Sequence, residues 1–103
     1  MTGTEISSDG LSARRRRILF RAWHRGTREM DILFGRFVDT FLTELDDAQL
    51  DTVEALIEEP DSMLFSWISG STAVPPGMDT PVLRAMITLH HDGPDKAGAI
   101  LRS

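Results

Sequence analysis

The chain has 103 residues, 41% of them hydrophobic and 26% charged, the composition of one small globular domain rather than of a disordered segment. No apolar run approaches the roughly 18 residues needed to span a bilayer. With no cysteine there is no disulfide framework, no thiolate nucleophile and no cysteine-based metal site. The net charge of −5 conceals a segregation. Seven of the 11 basic residues are arginines within positions 14–28, whereas positions 29–61 hold 11 acids against Arg36 alone. Such a charge dipole is expected to orient partners more than to build a fold, and the acidic total argues against nucleic acid as a partner.

The first ten residues, MTGTEISSDG, are polar and carry two acids, unlike a secretory signal or an Arg-rich transit peptide, so a cytoplasmic location is expected. Ser12 then suits the N-cap of a first helix over about 13–24, with Ile18, Leu19, Ala22 and Trp23 on its inner face. Phe20 falls off that face, as a second contact surface or as a single exposed apolar residue. Arg14–Arg17 wrap the same helix rather than forming one stripe, which suits a solvated helix end or docking onto an acidic protein surface.

Gly26 punctuates the chain before a second helix over about 27–44. Its apolar residues Met30, Leu33, Phe34, Phe37, Val38, Phe41, Leu42 and Leu45 keep helical spacing without a gap, which predicts the central core helix. Gly35 interrupts it at a cost of roughly 1 kcal/mol against alanine, and a bend or a close helix–helix approach would account for it. Asp46 with Gln49 forms a capping-box pattern, and Leu45 with Leu50 a hydrophobic staple, at the start of a third helix. Pro60 ends that helix, and Asp61 or Ser62 begins a short fourth one that stops at Gly70. Residues 70–78 suit a flexible loop. Thr80-Pro81 opens a fifth helix over about 81–91, with Val82, Leu83, Met86, Ile87 and His90 turned inward. The expected organisation is therefore a disordered segment 1–11, an all-α single-domain five-helix bundle over 12–92, and a frayed tail over 93–103.

No phosphate loop, nucleophile elbow or zinc-protease motif occurs, so no catalytic residue is expected. Adjacent helical positions diverge by about 100°, so His90 and His91 are not expected to share a metal. The informative stretch is Trp23-His24-Arg25-Gly26-Thr27-Arg28-Glu29-Met30-Asp31. Gly26 allows the chain to reverse, Glu29 faces the positive end of the second helix, and Arg25 the negative end of the first. A well-capped turn would explain this much. Arg25, Arg28, Glu29 and Asp31 nevertheless gather four charges at one corner, more than capping requires. Arg25 and Glu29 are expected at the surface, where truncation costs less than about 1 kcal/mol.

Arg25-Gly26-Thr27-Arg28-Glu29 resembles the RGxxE hallmark of the SdhE/YgfY flavinylation factors, also called succinate dehydrogenase assembly factors. RRRRILFRAWHRGTREMDILFGRFVD is similar to that family's first two helices, including the Asp two positions after the motif Glu. Pro60-Asp61 with Leu64-Phe65-Ser66-Trp67 is similar to its D-x-L-F-x-W pattern, apart from two extra residues before the Leu or a shifted Asp. The resemblance covers about Arg14 to His91. It implies a monomeric five-helix chaperone, not an enzyme. Its partner would be the flavoprotein subunit of succinate dehydrogenase, or of fumarate reductase, and it would promote covalent attachment of FAD to a histidine there. On this resemblance Arg25, Gly26 and Glu29 carry over as partner-binding residues, with Arg28, Asp31 and Trp23 at less specific neighbouring positions. The FAD belongs to the client, and no cofactor or metal of the chain's own is implied. Some relatives of this kind suggest an alternative, an antitoxin-like module of a toxin–antitoxin pair.

Overall fold

The computed structural model describes residues 10–103, so nearly all of the segment expected to be disordered lies outside the described residues. Six α-helices follow in order: α1 (Ala13–Ala22), α2 (Arg28–Phe41), α3 (Asp47–Ile57), α4 (Asp61–Ser69), α5 (Pro81–Asp92) and α6 (Pro94–Arg102). The fold is all-α, with no strand among the described residues, but it has one helix more than the five expected.

Local signals explain most boundaries. The Ser12 hydroxyl accepts from the Arg15 amide at 3.1 Å, and Asp46 and Gln49 cap each other's amides at 2.8 Å in both directions. Thr80 caps α5 in the same way, just before Pro81. The central helix ends at Phe41 rather than near 44, because Leu42–Glu44 tighten into a 3₁₀ turn, yet the apolar stripe stays buried through Leu45. Phe34, Phe37, Phe41, Leu45 and Trp67 all lie in the core, where Ile18, Leu50, Leu64 and Leu83 meet them from the other helices. The loop over 70–78 is less free than expected. Pro76–Met78 form a second 3₁₀ turn, and Val74 and Met78 pack on the core.

The sixth helix overturns the expected frayed tail. Gly93 takes a positive φ of 98°, its amide donates to the Leu89 carbonyl, and Pro94 starts α6 at its first position. Gly-Pro suggested a stop, but proline begins a helix as readily as it ends one. α6 packs on α5 with Ala97 buried in the core, the Arg102 side chain lies over Gly98, and Arg102 pairs with Glu44 at 3.0 Å. His90, expected inward, is exposed instead. Its ring meets that of His91 edge-on, and the His91 Nε2–H donates to the Ile68 carbonyl at 2.7 Å.

The segregated charge turns out to build the fold as well. Arg14 holds Glu54 of α3 with two hydrogen bonds, 2.7 and 3.1 Å, and also reaches Asp51. Arg15 donates to the Leu42 and Leu45 carbonyls, capping the end of the α2 region, and Arg21 pairs with Glu58 at 2.7 Å. Hydrogen bonding to Arg14 holds the Glu54 carboxyl below its ordinary value of 4.5. A carboxylate whose value is depressed by folding stabilises above the unfolded value, and that contribution is lost as pH falls through the folded one. The melting temperature is therefore expected to decline below about pH 4.5, and Glu54→Gln to flatten part of that decline. A Glu54→Gln profile parallel to the wild type over pH 2–5 would contradict this coupling.

Candidate functional site

The corner between α1 and α2 is built from two turns fastened to each other. Thr27 caps α2, its hydroxyl accepting from the Met30 amide and donating to Asp61 Oδ2, both at 3.3 Å. Gly26 sits at φ 117°, a backbone conformation that suits glycine. Asp31, half-buried one turn into α2, folds back so that one carboxylate oxygen accepts from the backbone amides of both Arg25 and Gly26. Asp31 thus holds the reversal shut.

Arg25 fastens this turn to the second one, between α3 and α4. Its Nε donates to Asp61 Oδ1 at 2.8 Å, one terminal nitrogen to the Glu59 carbonyl at 2.5 Å, and the other to the Ile57 carbonyl. Its guanidinium carbon lies 5.3 Å from the centre of the Phe34 ring. The side chain is only 6% exposed, so the expected surface position of Arg25 does not hold. The reason is structural. The last carbonyls of α3 lack helical partners, and a five-donor cation from the neighbouring corner supplies them.

Trp23 is likewise turned inward. It caps the end of α1, packs its indole against Gly35 of α2 and donates from Nε1 to Asp39 at 3.2 Å. The glycine inside the central helix is therefore the seat of a tryptophan, which is the close approach that its position suggested.

Gly26, Arg28 and Glu29 remain on the outside. Glu29 caps nothing, because Thr27 fills that role, and its carboxylate makes no hydrogen bond or ion pair among the described residues. Beside it an open groove of about 310 Å³ runs between the start of α2 and α4, lined by Thr27, Glu29, Met30, Asp61, Ser62 and Phe65. Phe20, near the end of α1, is 63% exposed and stacks on His24 at 4.0 Å. Among the described residues no three His, Asp or Glu side chains converge as metal ligands would.

The family model described as "Flavinator of succinate dehydrogenase", Sdh5, matches residues 16–90. The chain belongs to the Sdh5 family. It is 43% identical over 82 residues to the "FAD assembly factor SdhE" of Acetobacter pasteurianus, covering 80% of this chain and 75% of that one. It is 32% identical over 84 residues to the "Succinate dehydrogenase assembly factor 2, mitochondrial" of Dictyostelium discoideum, covering 82% of this chain and 58% of the relative. Against the protein of the same name in Scheffersomyces stipitis the identity is 32% over 66 residues, covering 64% and 44%. The chain thus spans about half the length of these two mitochondrial relatives. No solved structure matches it. No helix of the described residues is long and apolar enough to cross a membrane.

The Sdh5 match takes in all six residues singled out at the corner, and the fold divides them. Trp23, Arg25 and Asp31 hold the turn, while Gly26, Arg28 and Glu29 present it. Sequence reasoning missed Asp61 as the partner of Arg25, and Gly35 with Asp39 as the seat of Trp23. One signal for Asp61 was available. An acid directly after the proline that ends α3 is well placed to answer a buried cation at that junction.

Proposed function

We propose that this chain is an assembly factor that binds the flavoprotein subunit of succinate dehydrogenase and promotes covalent attachment of FAD to it. In this reading it is not itself the enzyme. It acts as a monomer in the cytoplasm, fumarate reductase is a second client, nucleic acid plays no part, and the FAD belongs to the client. Its membership of the Sdh5 family and the names of its relatives support the reading.

The observation that carries it is the state of Glu29. A carboxylate with no partner among the described residues projects from a corner made rigid by Arg25, Asp31 and Asp61. A charge held ready on a fixed scaffold suits recognition, because little order has to be gained on binding. Arg14 and Arg15, by contrast, are engaged within the fold. Glu29 and Arg28 therefore carry the contact, and Gly26 allows the backbone to approach.

Co-purification tests this. The tagged wild-type chain is expected to retain the succinate dehydrogenase flavoprotein subunit. Glu29→Ala should melt as the wild type does, with under about 1 kcal/mol lost at an exposed site. It should nevertheless bind the client at least tenfold more weakly, on the order of 1.4 kcal/mol. Undiminished binding by Glu29→Ala would remove the corner from the interface.

A further inference from the structure

The groove beside Glu29 has a composition of its own. Its apolar lining comes from Phe65, 42% exposed, and Met30. Two carboxylates line it: Asp61 is engaged by Arg25 and Thr27, whereas Glu29 has no hydrogen bond or ion pair among the described residues. Ile32, three residues after Glu29 in α2, is also exposed. The helix α4 buries Leu64 and Trp67 and leaves Phe65 outside, although this ring is large enough to have been an anchor of the core. Exposed aromatic residues beside an apolar depression are a recurrent feature of binding surfaces.

We infer that this groove receives one protruding segment of the client, an apolar side chain seated against Phe65 and an adjacent lysine or arginine paired with Glu29. The inference rests on the assembly-factor reading and adds to it the chemistry of the segment that is recognised. Charge complementarity fixes the sign. Among the described residues the lining holds no cation, and since Asp61 is answered by Arg25 the uncompensated charge of the groove is that of Glu29, which repels an acidic segment and attracts a basic one. Its open shape suits a surface segment of a protein better than a small molecule, which is bound by burying most of its own area.

Calorimetric titration of the purified succinate dehydrogenase flavoprotein subunit into wild-type and variant chains tests this. Phe65→Ala and Phe65→Lys are each expected to weaken binding at least tenfold while their melting curves stay close to the wild type. Met63→Ala, an exposed apolar change on α4 outside the groove, is expected to bind within twofold. Glu29→Gln should weaken binding and also flatten its dependence on salt, as loss of an interfacial ion pair requires. Phe65→Ala binding within twofold of wild type would overturn the groove as the site. Glu29→Lys binding as tightly as wild type would overturn the basic segment. Failure of the wild-type chain to bind the subunit at all would instead remove the assembly-factor reading, and this inference with it.

Discussion

Arg25→Ala is expected to lose about 3–5 kcal/mol of stability, the usual consequence of removing one partner of a buried ion pair. Truncation strands the half-buried carboxylate of Asp61 and uncaps the Ile57 and Glu59 carbonyls, all of which depend on one guanidinium. A small domain has on the order of 5–15 kcal/mol in total, so much of the fold's margin would go. Arg25→Lys should rescue little, since an ammonium cannot reproduce the planar fork that meets three acceptors at once. Asp61→Ala should be destabilising in turn, leaving Arg25 buried with carbonyls alone. Urea unfolding of the three variants checks this, and an Arg25→Ala midpoint equal to that of the wild type would contradict it. On the proposed function, Arg25 and Glu29, four residues apart in one motif, are expected to fail for different reasons: Arg25 variants through loss of the fold, and Glu29 variants while still folded.

Gly35→Ala is the second large effect. A Cβ at this position would fall within 3.0 Å of three ring atoms of Trp23, which is itself buried and tied to Asp39. Neither partner has room to yield, because the helix backbone carries one side of the contact and the core surrounds the other. The substitution would ordinarily favour a helix by roughly 1 kcal/mol. Here it is expected to destabilise by about 3 kcal/mol, at the upper end of the overpacking range. For a domain of this size that corresponds to a fall of more than about 10 °C in melting temperature. A smaller residue at position 23 should recover part of the loss in the double variant, since the two sites are in contact. Gly35→Ala melting within about 2 °C of wild type would show that the indole is not seated on this glycine.

These two positions also show what a sequence conveys and what it withholds. The periodicity of Met30 to Leu45 placed the core helix and its buried face, because a helical stripe is a property of neighbours in the chain. The capping residues Ser12, Asp46 and Thr80 were legible for the same reason. Long-range partners were not. Nothing near Arg25 announces that its counter-ion lies thirty-six residues away, and so a charged residue in a polar motif read as a surface residue. Trp23 was correctly placed by periodicity, since its position on the inner stripe of α1 pointed to the core. The missing α6 has another cause. Its only strong apolar residues are Ile100 and Leu101, both only partly buried, and its one fully buried apolar side chain is that of Ala97, which leaves almost no mark in hydropathy.

Arg25 and Asp61 hold the corner in place, and the proposed role of the exposed Glu29 upon it is contact with the client. That role is tested most directly by in-gel flavin fluorescence of the succinate dehydrogenase flavoprotein subunit in cells lacking their own assembly factor, complemented with the wild-type chain or Glu29→Ala. Wild type should restore the fluorescent band. Glu29→Ala, present at equal level and with an unchanged melting temperature, should leave the subunit without covalent flavin. A fully fluorescent band with Glu29→Ala would contradict the account, leaving the corner a capped turn and nothing more.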